Sequence, residues 1–370
     1  MFRTGFKPFI SWAIRTPLWR IRQSVPLAIY SGIFPRSSLC LYYHMVADEP
    51  VPHLQHYRYL SSAEFEADVC CLKDHFGFMG YDQLLERRLR GSSVRDNRAL
   101  ITFDDGFAQC ASVVRPILLR HSAPCIFFVT TDLIDNRVMF RESQASLCID
   151  EICRQPVVVI EKLLGELGLD AQLLSPSMHP SIGMNSTPIN NISREPKPPK
   201  ELEALLHWLL NASPNEAGLV DRLTERLGID THAYLTKVEP YLTTRQIRQL
   251  QEDGFTIGAH SCSHRFLQNL PAAEAEREIV ESCRIIRDLT GQPSVPFAFP
   301  LSGVGLDRAW LASIRQRNDF IGLFFSTGGL GRDVPFVISR VGADRATGSA
   351  SIRNRLRQAW AGRPAWHRSG

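Results

Sequence analysis

Short apolar runs, each bounded by turn residues, alternate along this 370-residue chain with segments of helical hydrophobic spacing. Because these runs are apolar throughout, they are typical of parallel strands that are buried on both faces. Strands that alternate with helices indicate βαβ units, and therefore an α/β fold with an open sheet or a barrel. The predicted strands are Leu39–Tyr43, Ala99–Phe103, Cys125–Val129, Phe255–Ile257, Val295–Phe299 and Ile321–Phe325.

The region 136–242 lacks any run that resembles a barrel strand. Helical patterns surround a stretch rich in Pro, Ser and Asn at 175–200, which predicts a mainly helical insertion with a mobile loop. The remaining parts are then a basic N-terminal extension at 1–38, an α/β domain made of 39–135 and 243–345, and a C-terminal tail at 346–370.

Charge and cysteine content exclude several classes of protein. The chain has 42 Lys+Arg against 38 Asp+Glu, and the net charge of +4 gives no support for a nucleic-acid partner. Nine scattered cysteines, an odd number without a C-x-x-C pair, indicate reduced thiols rather than a disulfide framework or a cysteine zinc site. A cytoplasmic location is therefore expected.

The first 38 residues carry six basic side chains and no acidic one. Their apolar stretches are far shorter than the ~20 residues of a transmembrane helix. Two interpretations stay open: a basic extension packed on the domain, or peripheral association with an anionic membrane through Trp12, Trp19 and the arginines.

Two clusters of polar residues directly follow predicted strands. Asp104 and Asp105 lie in the run ITFDDG, which ends at Gly106. Adjacent residues of a strand point to opposite faces, so both carboxylates can serve one site only if the chain turns there, which Gly106 permits. The alternative is an ordinary turn with two solvated acids. His260 and His264 follow another strand, at a spacing that places both imidazoles on one side of a helical turn. With one carboxylate they make a His₂-carboxylate set of the kind that metal-assisted hydrolysis uses; alone they are more often a surface pair.

These motifs resemble those of the polysaccharide deacetylase family of the NodB-homology type. LYYHMV, ALITFDDGF, PCIFFVTT, GFTIGAHSCSH and PFAFP occur in the family's order, and the resemblance covers about Leu39–Asp135 and Thr243–Val341. It implies an irregular (β/α) barrel with fewer than eight strands. It also implies that Asp104 is the catalytic base and that Asp105, His260 and His264 bind a divalent metal ion. Zinc is expected first, with cobalt, nickel or manganese as alternatives.

The third motif departs from the common family pattern. Ser294–Pro300 offers no arginine to position the catalytic aspartate, and the late histidine that supplies the general acid has no counterpart. By position after Phe299 and Pro300, the Leu301 amide is the candidate oxyanion donor, and these three residues form the predicted oxyanion and substrate contact.

His44 and Arg340 are the candidates for the missing groups. His44 ends the first strand and is predicted to be the general acid or a substrate contact; the alternative is a buried histidine bonded to the backbone. Arg340 is a candidate for orienting Asp104, although a surface salt bridge is the favoured interpretation.

Three functions follow, of which deacetylation is preferred. The first is metal-dependent removal of N-acetyl groups from an N-acetylated polysaccharide, oligosaccharide or glycolipid precursor. The second is hydrolysis of a non-sugar, cyclic amide, and the third is a catalytically impaired carbohydrate-binding relative. The identity of the sugar and the oligomeric state are not determined by the sequence.

Overall fold

The computed structural model describes residues 39–54, 59–89, 98–167, 217–330, 333–344 and 352–360. The predicted N-terminal extension at 1–38 and the predicted loop at 175–200 lie outside these ranges. Within the described residues, no helix has the length and apolar character needed to cross a membrane.

A parallel sheet of eight strands forms the centre of the molecule, in the spatial order β7-β6-β5-β4-β3-β2-β1-β8. All six predicted strands are present, with small changes at their ends. The strands are β1 Leu39–Tyr43, β2 Ala99–Phe103, β3 Cys125–Val129, β4 Thr256–Ala259, β5 Val295–Ala298, β6 Ile321–Ser326, β7 Val337–Ser339 and β8 Val341–Gly342.

The last two strands close the sheet on itself. Strand β7 pairs with β6 at one edge and β8 pairs with β1 at the other, and only Arg340 separates β7 from β8 in the chain. One short segment therefore joins both edges, and the predicted (β/α) barrel is confirmed. If Val337–Gly342 is counted as one strand interrupted at Arg340, the barrel has seven strands, in agreement with the expectation of fewer than eight.

Helices cover the outside of the barrel and pack on a core rich in aromatic and aliphatic side chains. Those between or after the barrel strands are α1 Ser62–His75, α2 Tyr81–Leu89, α3 Arg115–His121, α8 Thr244–Glu252, α9 Ala272–Thr290, α10 Arg308–Arg317 and α11 Ile352–Trp360. The described part of 136–242 adds α4 Arg141–Ile152, α5 Val157–Leu167, α6 Ala217–Arg226 and α7 Thr231–Val238. Helix α11 lies within the predicted tail, yet its Ile352 and Leu356 are buried in the core.

All strand pairs are parallel, so the carboxyl ends of the strands meet at one end of the barrel. His44 follows β1, Asp104 follows β2, and His260 follows β4. The residue types that the sequence singled out therefore converge at the end where active sites of α/β barrels are built.

Candidate metal centre and active site

The Asp-Asp-Gly segment makes a tight turn at the end of β2. The Asp104 amide donates to the Tyr43 carbonyl at 2.9 Å, and the chain then enters left-handed backbone at Asp105 (φ 73°) and Gly106 (φ 87°). A Cβ on Gly106 would lie 3.0 Å from Val129 Cγ1, so only glycine fits this turn without displacement. Both aspartates are buried, at 2% and 0% exposure, which excludes a turn with two solvated acids.

Asp105, His260 and His264 form a compact set of metal-ligand groups. Asp105 Oδ1 lies 3.4 Å from His260 Nε2 and 3.3 Å from His264 Nε2, and one ligand atom from each residue lies within 4.8 Å of the other two. Neither carboxylate oxygen of Asp105 has a hydrogen-bond partner among the described residues. A buried carboxylate without such partners is costly unless a cation neutralises it. The donor set therefore fits a divalent ion such as zinc.

His260 is held in the tautomer that a metal requires. Its Nδ1 lies 2.9 Å from the Ala298 carbonyl oxygen at the end of β5. Because a carbonyl oxygen only accepts, the proton is on Nδ1 and the lone pair of Nε2 faces Asp105.

The segment between the two histidines is an irregular loop, so the predicted helical turn is wrong. Ser261 and His264 both have left-handed backbone, with φ of 62° and 59°. The Ser261 hydroxyl accepts a hydrogen bond from the His264 amide at 2.9 Å. The imidazole rings converge all the same, with centroids 5.0 Å apart. Strained backbone of this kind persists only where surrounding contacts hold it, and it clusters at functional sites.

Glu278, on helix α9, supplies those contacts. Its carboxylate accepts hydrogen bonds from the Cys262 amide at 2.8 Å, the Ser263 amide at 3.0 Å and the Ser263 hydroxyl at 2.6 Å. The side chain is buried and offers acceptors to donors that the strained loop would otherwise leave unpaired. The histidine motif does not predict a role for Glu278, which lies 14 residues after His264.

The charges of the triad are complementary. Burial by itself raises the pKa of Asp105, but the adjacent His260 and His264 imidazoles outweigh it and hold this pKa well below its usual range. For His264, burial lowers the pKa, yet the contact with Asp105 outweighs that effect and the pKa is raised. Asp105 is therefore an anionic group at the centre of the site.

Asp104 is held by Arg340, which lies between β7 and β8, two strands along the barrel wall from β2. The guanidinium donates to both carboxylate oxygens, and also to the Thr102 hydroxyl at 2.8 Å. Arg340 is fully buried and its guanidinium lies 5.0 Å from the centre of the Tyr42 ring. The favoured interpretation of Arg340 as part of a surface salt bridge is therefore wrong, and its candidacy as the partner of Asp104 is the one that the geometry matches.

His44 is buried and contacts a carboxylate that the sequence did not single out. Its Nδ1 lies 2.5 Å from Asp344 Oδ2, and its backbone amide donates to the same oxygen at 2.9 Å. Asp344 comes two residues after β8, at the same end of the barrel. The backbone-bonded alternative does not apply to Nδ1, because a side-chain carboxylate is the partner. No local motif marks Asp344.

The third motif is divided between the core and the site. The Phe299 ring stacks on Phe324 with centroids 5.4 Å apart and is fully buried, so its side chain packs in the hydrophobic core. Pro300 is also buried. Leu301 has left-handed backbone (φ 59°), and within the described residues its amide has no hydrogen-bond acceptor. Leu301 therefore keeps a free donor for the oxyanion role predicted for it.

The insertion reaches the metal centre through the start of α4. The Phe140 ring packs edge-on against His264 with centroids 4.6 Å apart, and Glu142 Oε1 lies 3.8 Å from His264 Nδ1. Burial raises the pKa of Glu142, with Asp105 adding to the effect and His264 opposing it. Neither residue was singled out by the sequence, since both lie in a region without motifs.

Comparison with known proteins gives a partial match to one family profile and a similar fold. Residues 220–316 match the sequence profile of the polysaccharide deacetylase family, a range that contains both histidines but not the aspartate pair. The fold is similar to that of the Streptococcus pyogenes deacetylase PplD in complex with acetate, with a TM-score of 0.51, 13% identity, and coverage of 87% of this chain and 98% of that one.

Two further structures show a weaker likeness. IcaB from Ammonifex degensii has a TM-score of 0.48 and 12% identity, over 88% of this chain and 97% of that one. The Aggregatibacter actinomycetemcomitans de-N-acetylase has a TM-score of 0.47 and 15% identity, over 86% and 99%. No curated protein matches the chain. The profile match over the histidine motif and the similar barrel fold both agree with the resemblance of the sequence motifs to polysaccharide deacetylases of the NodB-homology type.

Proposed function

We propose that the protein is a metal-dependent hydrolase that removes N-acetyl groups from the sugars of a polysaccharide, oligosaccharide or glycolipid precursor. The observation that carries this proposal is a buried carboxylate, Asp104, held by Arg340 beside the Asp105–His260–His264 triad. A ligating carboxylate and a separate, oriented carboxylate are the two acidic groups that metal-assisted amide hydrolysis needs.

Asp105, His260 and His264 would hold the metal ion, and zinc suits two imidazoles and one carboxylate best. A divalent ion there supplies Lewis-acid chemistry, which activates water and polarises an acetamide carbonyl. Cobalt, nickel and manganese are alternatives with the same donor set. With three protein ligands, the site leaves coordination positions for water and substrate, as catalytic metal sites do.

Other groups of this chain accept or donate protons, or stabilise negative charge, in the proposed reaction. Asp104 accepts the proton of the attacking water, and the bidentate contact with Arg340 fixes the plane of its carboxylate. His44, held at Nδ1 by Asp344, donates a proton from Nε2 to the departing amine. The Leu301 amide donates to the oxygen that gains negative charge when the acetamide carbonyl is attacked.

The proposed substrate is an N-acetylated carbohydrate made inside the cell, which agrees with a cytoplasmic protein. The basic extension at 1–38 would hold the protein at an anionic membrane surface, where lipid-linked sugars are found. Flotation of the full chain with anionic and with neutral liposomes tests this placement, and absence from both floated fractions would contradict it.

An impaired carbohydrate-binding relative was the alternative because the third motif lacks an arginine and the late histidine has no counterpart. The Arg340–Asp104 contact and the His44–Asp344 pair support an active enzyme over this alternative, because they offer candidates for both missing groups. Hydrolysis of a cyclic amide gains no specific support from the site.

The test combines metal analysis with acetate release from a panel of N-acetylated sugars. We expect wild type to contain about one metal ion per chain and to release acetate. Asp104→Asn is expected to keep the metal and lose turnover, whereas His260→Ala loses both. Asp253→Asn is a matched control: it makes the same change in an aspartate that also pairs with an arginine, Arg115 on helix α3. Acetate release unchanged by Asp104→Asn, or bound metal without release from any sugar, would contradict the proposal.

A further inference from the structure

The two histidines of the triad differ in how their second nitrogen is satisfied. His260 Nδ1 has the Ala298 carbonyl as its acceptor. His264 Nδ1 is buried and has no hydrogen-bond partner among the described residues. If Nε2 of His264 ligates a metal, Nδ1 carries a proton, and a buried N–H without an acceptor costs about 1–3 kcal/mol. A partner for this nitrogen is therefore required.

Glu142 is the carboxylate placed to be that partner. Its Oε1 lies 3.8 Å from His264 Nδ1, which is longer than a hydrogen bond but within the range of an ion pair. Phe140, two residues earlier, packs its ring against the His264 imidazole and limits where that imidazole can turn. Tyr241 fixes Phe140 in turn, since its hydroxyl accepts the Phe140 amide at 2.8 Å.

Together these contacts assign a role to the start of the insertion. Carboxylates that accept the outer N–H of a metal-ligating histidine fix its tautomer and raise its basicity. We propose that Glu142 is a positioning residue that orients His264 for metal binding, so that the helical insertion completes a metal centre whose ligands all come from the barrel. This inference rests on the metal site of the proposed function but concerns metal binding, not turnover.

The test compares three variants of the full-length, metal-free protein titrated with Co²⁺ alone. Glu142→Ala removes the acceptor, whereas Glu142→Gln keeps an oxygen that can accept from Nδ1. Glu151→Ala is the matched control: it removes a carboxylate from the last turn of the same helix, about 13 Å along the axis, where Glu151 contacts Gln155. Thermal unfolding of each metal-free variant establishes that α4 is intact.

We expect Glu142→Ala to weaken Co²⁺ binding about 10–100-fold and to shift the visible d–d absorption at saturating cobalt. Glu142→Gln should lie closer to wild type than Glu142→Ala does, and Glu151→Ala should match wild type in both measurements. A merely structural role for Glu142 would lower thermal stability without changing the saturated spectrum.

Two outcomes overturn the inference, and they are distinguishable. Equal affinity and equal spectra in wild type and Glu142→Ala would overturn the role of Glu142 and leave the proposed function in place. No Co²⁺ binding by wild type would overturn the metal centre itself, and with it both proposals.

Discussion

Arg340 and Asp104 form a bidentate ion pair inside the barrel, with Nη1–Oδ1 and Nη2–Oδ2 distances of 2.6 and 2.8 Å. The two side chains are 0% and 3% exposed. Two parallel hydrogen bonds fix both the position and the plane of a carboxylate, which a single point charge does not do. Orientation of the proposed base is therefore the main contribution of Arg340.

Replacing Arg340 with lysine keeps the positive charge but removes the planar guanidinium that makes two parallel hydrogen bonds. We expect Arg340→Lys to lose most turnover while retaining bound metal, because Lys offers a point charge in place of two fixed donors. Arg340→Ala should lower the free energy of unfolding by about 3–5 kcal/mol, since it leaves Asp104 buried without its partner. Acetate release measures turnover, metal analysis measures bound metal, and denaturant titration measures the free energy of unfolding.

Arg308→Lys is the control for that pair of variants. Arg308 also makes two contacts with one carboxylate, Asp333, at 2.9 and 2.6 Å, but both side chains are partly exposed. It should therefore change turnover and stability little. Arg340→Lys with wild-type turnover would contradict the orienting role.

His44 and Asp344 are predicted to act on the leaving group. We expect His44→Gln and Asp344→Asn to slow acetate release from an N-acetylated sugar by about 10²–10⁴-fold, the usual contribution of a general acid. Hydrolysis of an activated acetate ester, whose leaving group needs no proton, should be affected much less. Equal losses with both substrates would instead indicate that His44 has another role.

Asp68 makes stability depend on pH near the C-terminal helix. Burial raises its pKa to about 6 from an ordinary value of 3.8, although Arg355 and the Ile352 amide oppose the shift. Between these values the folded protein holds a proton that the unfolded chain has released. The free energy of unfolding contributed by Asp68 therefore falls as the pH rises from about 4 to about 6. Asp68→Asn should remove this fall, as chemical denaturation at several pH values will show.

His53 has the opposite dependence and serves as the comparison. Burial lowers its pKa to about 4 from 6.5, so the unfolded chain binds a proton in this window that the folded protein does not. Its contribution to the free energy of unfolding rises with pH. In His53→Gln the free energy of unfolding should therefore rise less with pH than in wild type. In Asp68→Asn it should rise more steeply with pH than in wild type. Identical pH profiles for the two variants would contradict both assignments.

Glu278 is predicted to determine the shape of the loop between the metal ligands. Glu278→Gln removes the negative charge that strengthens the hydrogen bonds from the Cys262 amide, the Ser263 amide and the Ser263 hydroxyl, so we expect weaker metal binding and lower stability. Glu274→Gln, on the same helix, weakens the contacts of Glu274 with Arg265 and Arg277 and is the control. Metal affinity by chelator competition, unchanged in Glu278→Gln, would rule out this role.

The sequence predicted the strands of the barrel for a physical reason, and the residues of the triad through the resemblance of two short motifs to polysaccharide deacetylases. Strands buried on both faces are apolar throughout, and Asp104–Asp105 and His260–His264 are each close in sequence. Strands β7 and β8, of three and two residues, are too short for any hydrophobic pattern to reveal.

The supporting groups could not be predicted in the same way, because they meet only in the folded chain. Arg340 and Asp104 are 236 positions apart, and His44 and Asp344 are 300 apart. Closure of the barrel brings both pairs together. Glu142 lies in an insertion, where neither spacing nor motif connects it to His264.

The closing segment Val337–Gly342 has a consequence for how the protein loses activity. It holds both edges of the sheet through only five strand residues, and Arg340 lies between the two pairings. Partial separation of this segment from β6 or β1 would move Arg340 away from Asp104. The metal ligands, on the turns after β2 and β4, would stay in place. We therefore expect gentle heating to abolish the proposed activity before any bound metal is lost, and an assay that counts only bound ions would not detect this damage.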